Sequence, residues 1–197
     1  FAHYGAPLYA ARKTDLLSKP LPALIVSAYE IVDGGWESSD VLDYLRTGLA
    51  GLSQTECDEL ENYLFMWQLR GTVWTNGEDW RLHPDGYGAE FTDEANETLR
   101  RINGLRRRVS APLMRFAENT KSAETAARQA EALAQLLEEL ELSERLSERA
   151  EALAVGGRAA AAQEYAQLWD ITVSALEQCA AILGDTASDR ESFGRLF

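Results

Sequence analysis

The stretch DVLDYLRTGLAGLSQTECDELENYLFMWQLRGTVW, Asp40 to Trp74, decides how the chain is read. Ser53 followed by Glu56 has the spacing of a capping box, in which each side chain satisfies a backbone N–H that a new helix leaves without a partner. From there Cys57, Leu60, Tyr63 or Leu64, and Trp67 recur at spacings of three and four. That spacing lays one apolar stripe along a helix, and Gly71 closes it. Upstream, Ser38 or Ser39 suits an N-cap and Gly48 a stop, which predicts a short helix over ESSDVLDYLRTG.

Working outward, PLPALIVSAYEIVDGG places Leu21, Leu24, Ile25, Ala28 and Val32 on one helical face. Pro20 and Pro22 suit its first turn, and Gly34 with Gly35 its stop. From Thr72 to Tyr87 the composition turns to aromatics, glycine and turn formers, with Asn76-Gly77 as the strongest turn signal, so an ordered loop or a small hairpin is expected. Thr92 to about Thr120 is helical and basic in its middle, with Pro112 expected to kink or restart the helix.

After a break at NTKS, three more helices are predicted. The first carries Ala130, Leu133, Leu136, Leu137 and Leu140; the second is SERLSERAEALA; the third runs from about Ala159 to Leu183. Gly156-Gly157 and LGDTAS supply the turns, and SFGRLF at the end reads as amphipathic helix. Apart from the loop nothing alternates with a period of two and nothing repeats at a fixed period, so the fold class is all-α. Positions 1–197 read as a single helical domain, a piece of something longer, with motif-bearing helices and the aromatic loop in 1–91 and a helical bundle portion in 92–197.

Composition narrows the function. Acidic residues outnumber basic ones 32 to 19 in 197 residues, a formal charge of -13, so the surface as a whole repels polyanions and any nucleic-acid contact must be local. No apolar run approaches the roughly 20 residues of a membrane span, so no membrane partner is expected and the cytoplasm is. Cys57 and Cys179 fall in apolar stripes far apart and read as buried free thiols. No glycine-rich loop ends in Lys-Ser or Lys-Thr, and His3 and His83 form no helical pair. His83, beside Pro84, is expected at the surface or half-buried. Glu56, Asp58, Glu59 and Glu61 read as a solvated helix face rather than a metal cluster. No catalytic residue, cofactor site or metal site is therefore assigned.

Two features suit nucleic acid. Trp67, Arg70, Trp74, Trp80 and Arg81 could stack bases and grip phosphates, or the tryptophans could form an apolar plug fixing the loop to the helices. Arg100, Arg101, Arg106, Arg107, Arg108 and Arg115 make a basic run that serves either phosphates or salt bridges to neighbouring glutamates.

The motifs in LLSKPLPALIVSAYEIVDGGWESSDVLDYLRTGLAGLSQTECDELENYLFMWQLRGTVWTNGEDW also carry a resemblance. Pro20-Leu21, Tyr44 to Leu49, Leu60 to Tyr63, and Arg70, Gly71 and Trp74 match the Pro-Leu helix, the Tyr-Leu-Lys-Thr-Gly-Leu turn, Leu-Glu-Asn-Tyr and Arg-Gly-x-x-Trp of the B subunit of AddAB-type ATP-dependent helicase/deoxyribonucleases. The helical remainder, including EYAQLWDITVSALEQCAAILGD, resembles the same subunit further along. Arg46 stands where the family has lysine, and Gln68 replaces the small residue often found before the Arg-Gly pair.

The resemblance implies a helical accessory domain, of the 2B type in superfamily 1 helicases, within an enzyme that resects double-strand DNA ends for recombinational repair in the bacterial cytoplasm. It implies a partner A subunit, double-stranded and single-stranded DNA bound through the parent protein, and ATP, magnesium and an iron–sulfur cluster held elsewhere in the parent. DNA or interdomain contact is expected from Arg46, Thr47, Arg70, Trp74, Arg106, Arg107 and Arg108. The competing reading is a stand-alone acidic helical scaffold for protein–protein interaction.

Overall fold

The computed structural model describes residues 19–196, so His3 lies outside the described residues. Helix α1 (Pro20–Gly34) places its prolines in the first turn and ends at Gly35, whose left-handed backbone (φ 78°) any side chain would strain. The expected stripe is in place: Leu21, Leu24, Ile25 and Ala28 are buried, and Val32 packs at the edge of the core. α2 (Ser38–Arg46) starts one residue earlier than the serines suggest. Its N-cap is Glu37, without a side-chain cap, because the Ser38 hydroxyl instead donates to the Leu69 carbonyl at 2.7 Å.

α3 (Gln54–Trp67) carries the expected capping box. Ser53 N–H donates to the Glu56 carboxylate at 2.8 Å, and Glu56 N–H donates to the Ser53 hydroxyl at 3.3 Å. The helix ends at Gln68, held at φ 48°, and not at Gly71, which opens a 3-10 turn over Gly71–Trp74. No hairpin follows. Thr75 to Thr92 is an ordered loop of turns in which the Asn76 side chain accepts from Glu78 N–H.

α4 (Asp93–Ser122) is one helix of 30 residues that runs through Pro112 and takes in NTKS, ending at Ser122, so the break falls just after those residues and before α5. Proline removes a single donor, leaving the Arg108 carbonyl without its i+4 partner. Leu105, Val109, Leu113 and Phe116 remain buried in the core on either side, and their packing outweighs that local loss. α5 (Ala126–Glu139), α6 (Leu142–Val155), α7 (Ala159–Leu183) and the short α8 (Arg190–Gly194) follow, the third of the predicted C-terminal helices at the bounds read from sequence.

α5 packs on both α4 and α7, α6 lies along α7, and α1 contacts α2, α4 and α8. One apolar core joins residues of every helix, from Leu21 through Leu133 and Leu176 to Phe193. Helix ends are satisfied internally. Buried Gln129 donates to the Thr120 and Ala123 carbonyls at the end of α4, while the N–H groups of Ala126 and Ala127 reach the carbonyls of Thr186 and Gly184. All regular structure among the described residues is helical, with one isolated bridge between Thr125 and Ala187, and none of these helices is long and apolar enough to cross a membrane. Cys57 is buried and Cys179 only partly so; both are free thiols.

Two outcomes follow for stability. Ser53→Ala should lower unfolding free energy by about 1 kcal/mol, and Leu133→Ala, at a fully buried site, by about 2–5 kcal/mol, both read from urea denaturation midpoints. The Ser53 N–H, helped by Arg108 and opposed by burial, holds the Glu56 carboxyl below the usual glutamate range. The stabilisation is therefore present above the unfolded value of about 4.3 and disappears as pH falls through the lowered folded value. The stability gap between the wild type and Glu56→Gln should accordingly close in acid.

Candidate nucleic-acid interface

The aromatic loop is built from the inside. Trp74 is almost wholly buried; it stacks on Trp36 (centroids 5.9 Å apart) and meets Trp80 edge-on at 5.1 Å, and Trp80 in turn stacks on Tyr63 at 5.6 Å. Trp36 adopts φ 66°, a strained conformation for a bulky residue. Its carbonyl accepts from Gly71 N–H and its ring rests on Trp74, and these contacts hold it there.

The loop backbone is then tied to α3 and α4 by side chains. Tyr63 donates to Leu82 O at 2.8 Å, Trp67 Nε1 to His83 O at 3.0 Å, and Trp80 Nε1 to Val73 O at 3.0 Å. Burial pushes the Tyr63 hydroxyl up to about 12. The Asn103 amide on α4 accepts from Trp80 N–H and donates to Trp80 O, pairing with that backbone as another strand would. His83 is buried, deeper than the surface or half-buried position expected for it. Nδ1 accepts from Asp85 N–H, Nε2 lies 3.1 Å from Glu90 O, and the ring packs on Phe91.

Arg106 sits at the centre. It is 2% exposed, its Nη1 donates to the carbonyls of Val73 and Glu78 (3.0 and 2.6 Å), and its guanidinium lies 5.4 Å from the Trp80 ring centre. Burial lowers its pKa, with Asp79, 3.9 Å away, acting in the opposite direction. Arg106 and Trp74 thus face the interior and offer no surface to a base or a phosphate.

Most of the other arginines lie outside but are engaged. Arg107 pairs with Asp79; Arg108 pairs with Glu56 and donates to Gly51 O; Arg46 pairs with Glu61 at 2.6 Å. Arg101 chelates Glu59 and Arg115 pairs with Glu139. Arg70 is 71% exposed and only loosely placed, 3.9 Å from Glu37. Thr47 donates to Tyr44 O and accepts from Leu49 N–H, so its hydroxyl shapes the turn.

The structure therefore gathers Trp74 and Arg106 into one buried cluster with Arg107 at its edge, and leaves Arg46 with Thr47, Arg70, and Arg108 at separate places. Sequence reading misses Asn103, whose only signal is an amide in a helix otherwise lined with arginine and leucine. It also misses a groove of about 390 Å3 between the Thr47-Gly48 turn and α6, where Cys57, Arg145, Arg149 and Tyr165 meet. Among the described residues no three His, Cys, Asp or Glu side chains converge as ligands.

Comparison with known proteins agrees with the motifs. No family model matches the chain. Over 197 residues it is 33% identical to the B subunit of the ATP-dependent helicase/deoxyribonuclease of Acetivibrio thermocellus, and over 206 it is 35% identical to the protein so named from Desulforudis audaxviator. The protein of the same name from Ruminiclostridium cellulolyticum is 31% identical over 201 residues. Each match takes in the whole of this chain but only 17–18% of the relative. The chain thus corresponds from end to end to one segment of the helicase/deoxyribonuclease B-subunit family, as an internal portion of such a protein would.

The two classes of arginine should separate on mutation. Arg106→Ala empties an enclosed site and takes a donor from the Val73 and Glu78 carbonyls, and should cost about 3 kcal/mol or more, whereas Arg107→Ala removes an exposed pair and should cost under about 1 kcal/mol, less at high salt. Urea denaturation at two ionic strengths measures both.

Proposed function

We propose that the chain is a non-catalytic helical accessory segment within the B subunit of an ATP-dependent helicase/deoxyribonuclease that processes double-strand DNA ends for recombinational repair. Its part is to position the DNA-handling machinery by docking against neighbouring protein. The observation that carries this reading is the match of the entire chain to one segment of proteins bearing that name. Its all-helical fold suits a 2B-type accessory domain of a superfamily 1 helicase, inserted between the halves of the second motor domain. ATP, magnesium and the iron–sulfur cluster then belong to other parts of the parent, and the A subunit and DNA are partners of the assembled enzyme in the bacterial cytoplasm.

Docking is favoured over direct phosphate contact by the state of the arginines. Arg46, Arg107 and Arg108 already sit on carboxylates, and Arg106 is enclosed, so a phosphate would have to displace an existing partner in each case. Arg70, the most exposed of the group, is the side chain best placed for any direct contact. A stand-alone acidic scaffold has less support, because nothing in that reading accounts for a match along the whole chain.

The test uses the full-length subunit assembled with its partner. Wild-type complex should degrade linear duplex DNA with ATP present, and the absence of that activity would overturn the reading as a whole. Fluorescence anisotropy on forked and single-stranded DNA should show Arg107→Ala plus Arg108→Ala changing affinity by less than about threefold with the salt dependence intact. A salt slope reduced by about one per arginine would replace docking by direct phosphate contact.

A further inference from the structure

We infer that the outer face of the aromatic loop is a docking surface, and that its occupant is another part of the same parent polypeptide presenting apolar side chains bordered by lysine or arginine. The inference rests on the proposed reading of the chain as one segment of a longer subunit. Its first support is geometric. Tyr87, 92% exposed, lies on the Trp67 ring at 4.6 Å; Met66, also exposed, stands beside Gly86; Phe91, half-exposed, packs on His83. The Trp67 Nε1–His83 O hydrogen bond ties the Tyr87–Trp67 contact to the His83–Phe91 contact.

The face is tied down where it begins: Tyr63 bonds Leu82 O and Trp67 bonds His83 O, while Asn103 and Arg106 fix the preceding residues at Trp80 and Glu78, so less loop freedom remains to be lost on association. A connection of this length that is fixed from within and leaves its aromatics outward is the pattern of a binding surface rather than of a solvated turn.

Charge selects the kind of partner. Asp85, Glu90, Asp93 and Glu94 are exposed around the face, against Arg81 alone in the same stretch. Such a rim repels a phosphate backbone and favours a basic protein surface, so the aromatics here do not read as a base-stacking platform. The choice of the same polypeptide follows from length: this chain spans 17% of its relative from Acetivibrio thermocellus, and the remainder is the protein present at the highest effective concentration.

The test is nitration of Tyr87 by tetranitromethane in the full-length subunit, quantified by peptide mass spectrometry against the same protein unfolded in guanidinium chloride. In the folded subunit alone Tyr87 should react about tenfold more slowly than in the unfolded chain, because the centre of a docked apolar face excludes water. Asp85→Lys, which reverses the rim charge, should restore most of that reactivity. Equal reactivity in the folded and unfolded protein would overturn the inference. Protection that appears only when the partner subunit or DNA is added would overturn it too, by assigning the face to that occupant. The readout does not use DNA degradation, so it can fail while the proposed function stands.

Discussion

The most demanding element of this fold is a charged group in the interior. A guanidinium removed from water is costly unless its donors are used, and Arg106 uses Nη1 on two carbonyls of the loop, those of Val73 and Glu78. The two halves of the arrangement need each other. Without the arginine the Glu78 carbonyl would lose its side-chain donor and the Val73 carbonyl would keep only Trp80 Nε1, and without the loop the charge would lack these acceptors. Asn103, one turn earlier on α4, does the same for the backbone of Trp80, and the four stacked aromatics fill the space between. The segment between α3 and α4 is therefore ordered by polar contacts aimed at its backbone, with apolar packing as their shield.

Electrostatics elsewhere follows another rule. The chain carries a large acidic excess, yet its basic residues do not pool into a patch. Arg46, Arg101, Arg107, Arg108 and Arg115 each meet a carboxylate from a different element, so the pairs bridge α2 to α3, α4 to α3 and the loop, and α4 to α5. Individually such exposed pairs contribute little to stability. Their larger effect is to set which face of each helix meets its neighbour, and to leave a surface whose net character is negative.

Much of this is legible in the sequence, and the exceptions have identifiable causes. The stripes of α1 and α3, the bounds of α7 and the Ser53–Glu56 box are local signals, and the structure places them as read. Gly71 has the look of a helix stop because glycine is the usual left-handed residue, but Gln68 adopts that conformation instead, and Gly71 is used to reach the Trp36 carbonyl. Ser38 has the look of a cap but bonds a carbonyl 31 residues away. Pro112 suggests a break, yet packing along α4 carries the helix past it, and the break expected at NTKS comes only at its last residue, Ser122. The site is harder still. Five consecutive positions, Gly104 to Arg108, contain three arginines that are alike in sequence; only the position of each around the helix decides that Arg106 points inward while Arg107 and Arg108 reach the surface.

The length of α4 has a mechanical consequence. At 1.5 Å per residue its 30 residues span about 45 Å, with the aromatic loop clamped to its first half and α5 to its second. A rod of that length tilted by about 5° moves its far end by about 4 Å. Any load taken up at the loop would thus arrive at α5 and α7 as a displacement of atomic size, with no refolding along the way. The missing hydrogen bond at Pro112 marks the point where such a rod yields first, so the stiffness of the segment, as much as its shape, is written into a single proline.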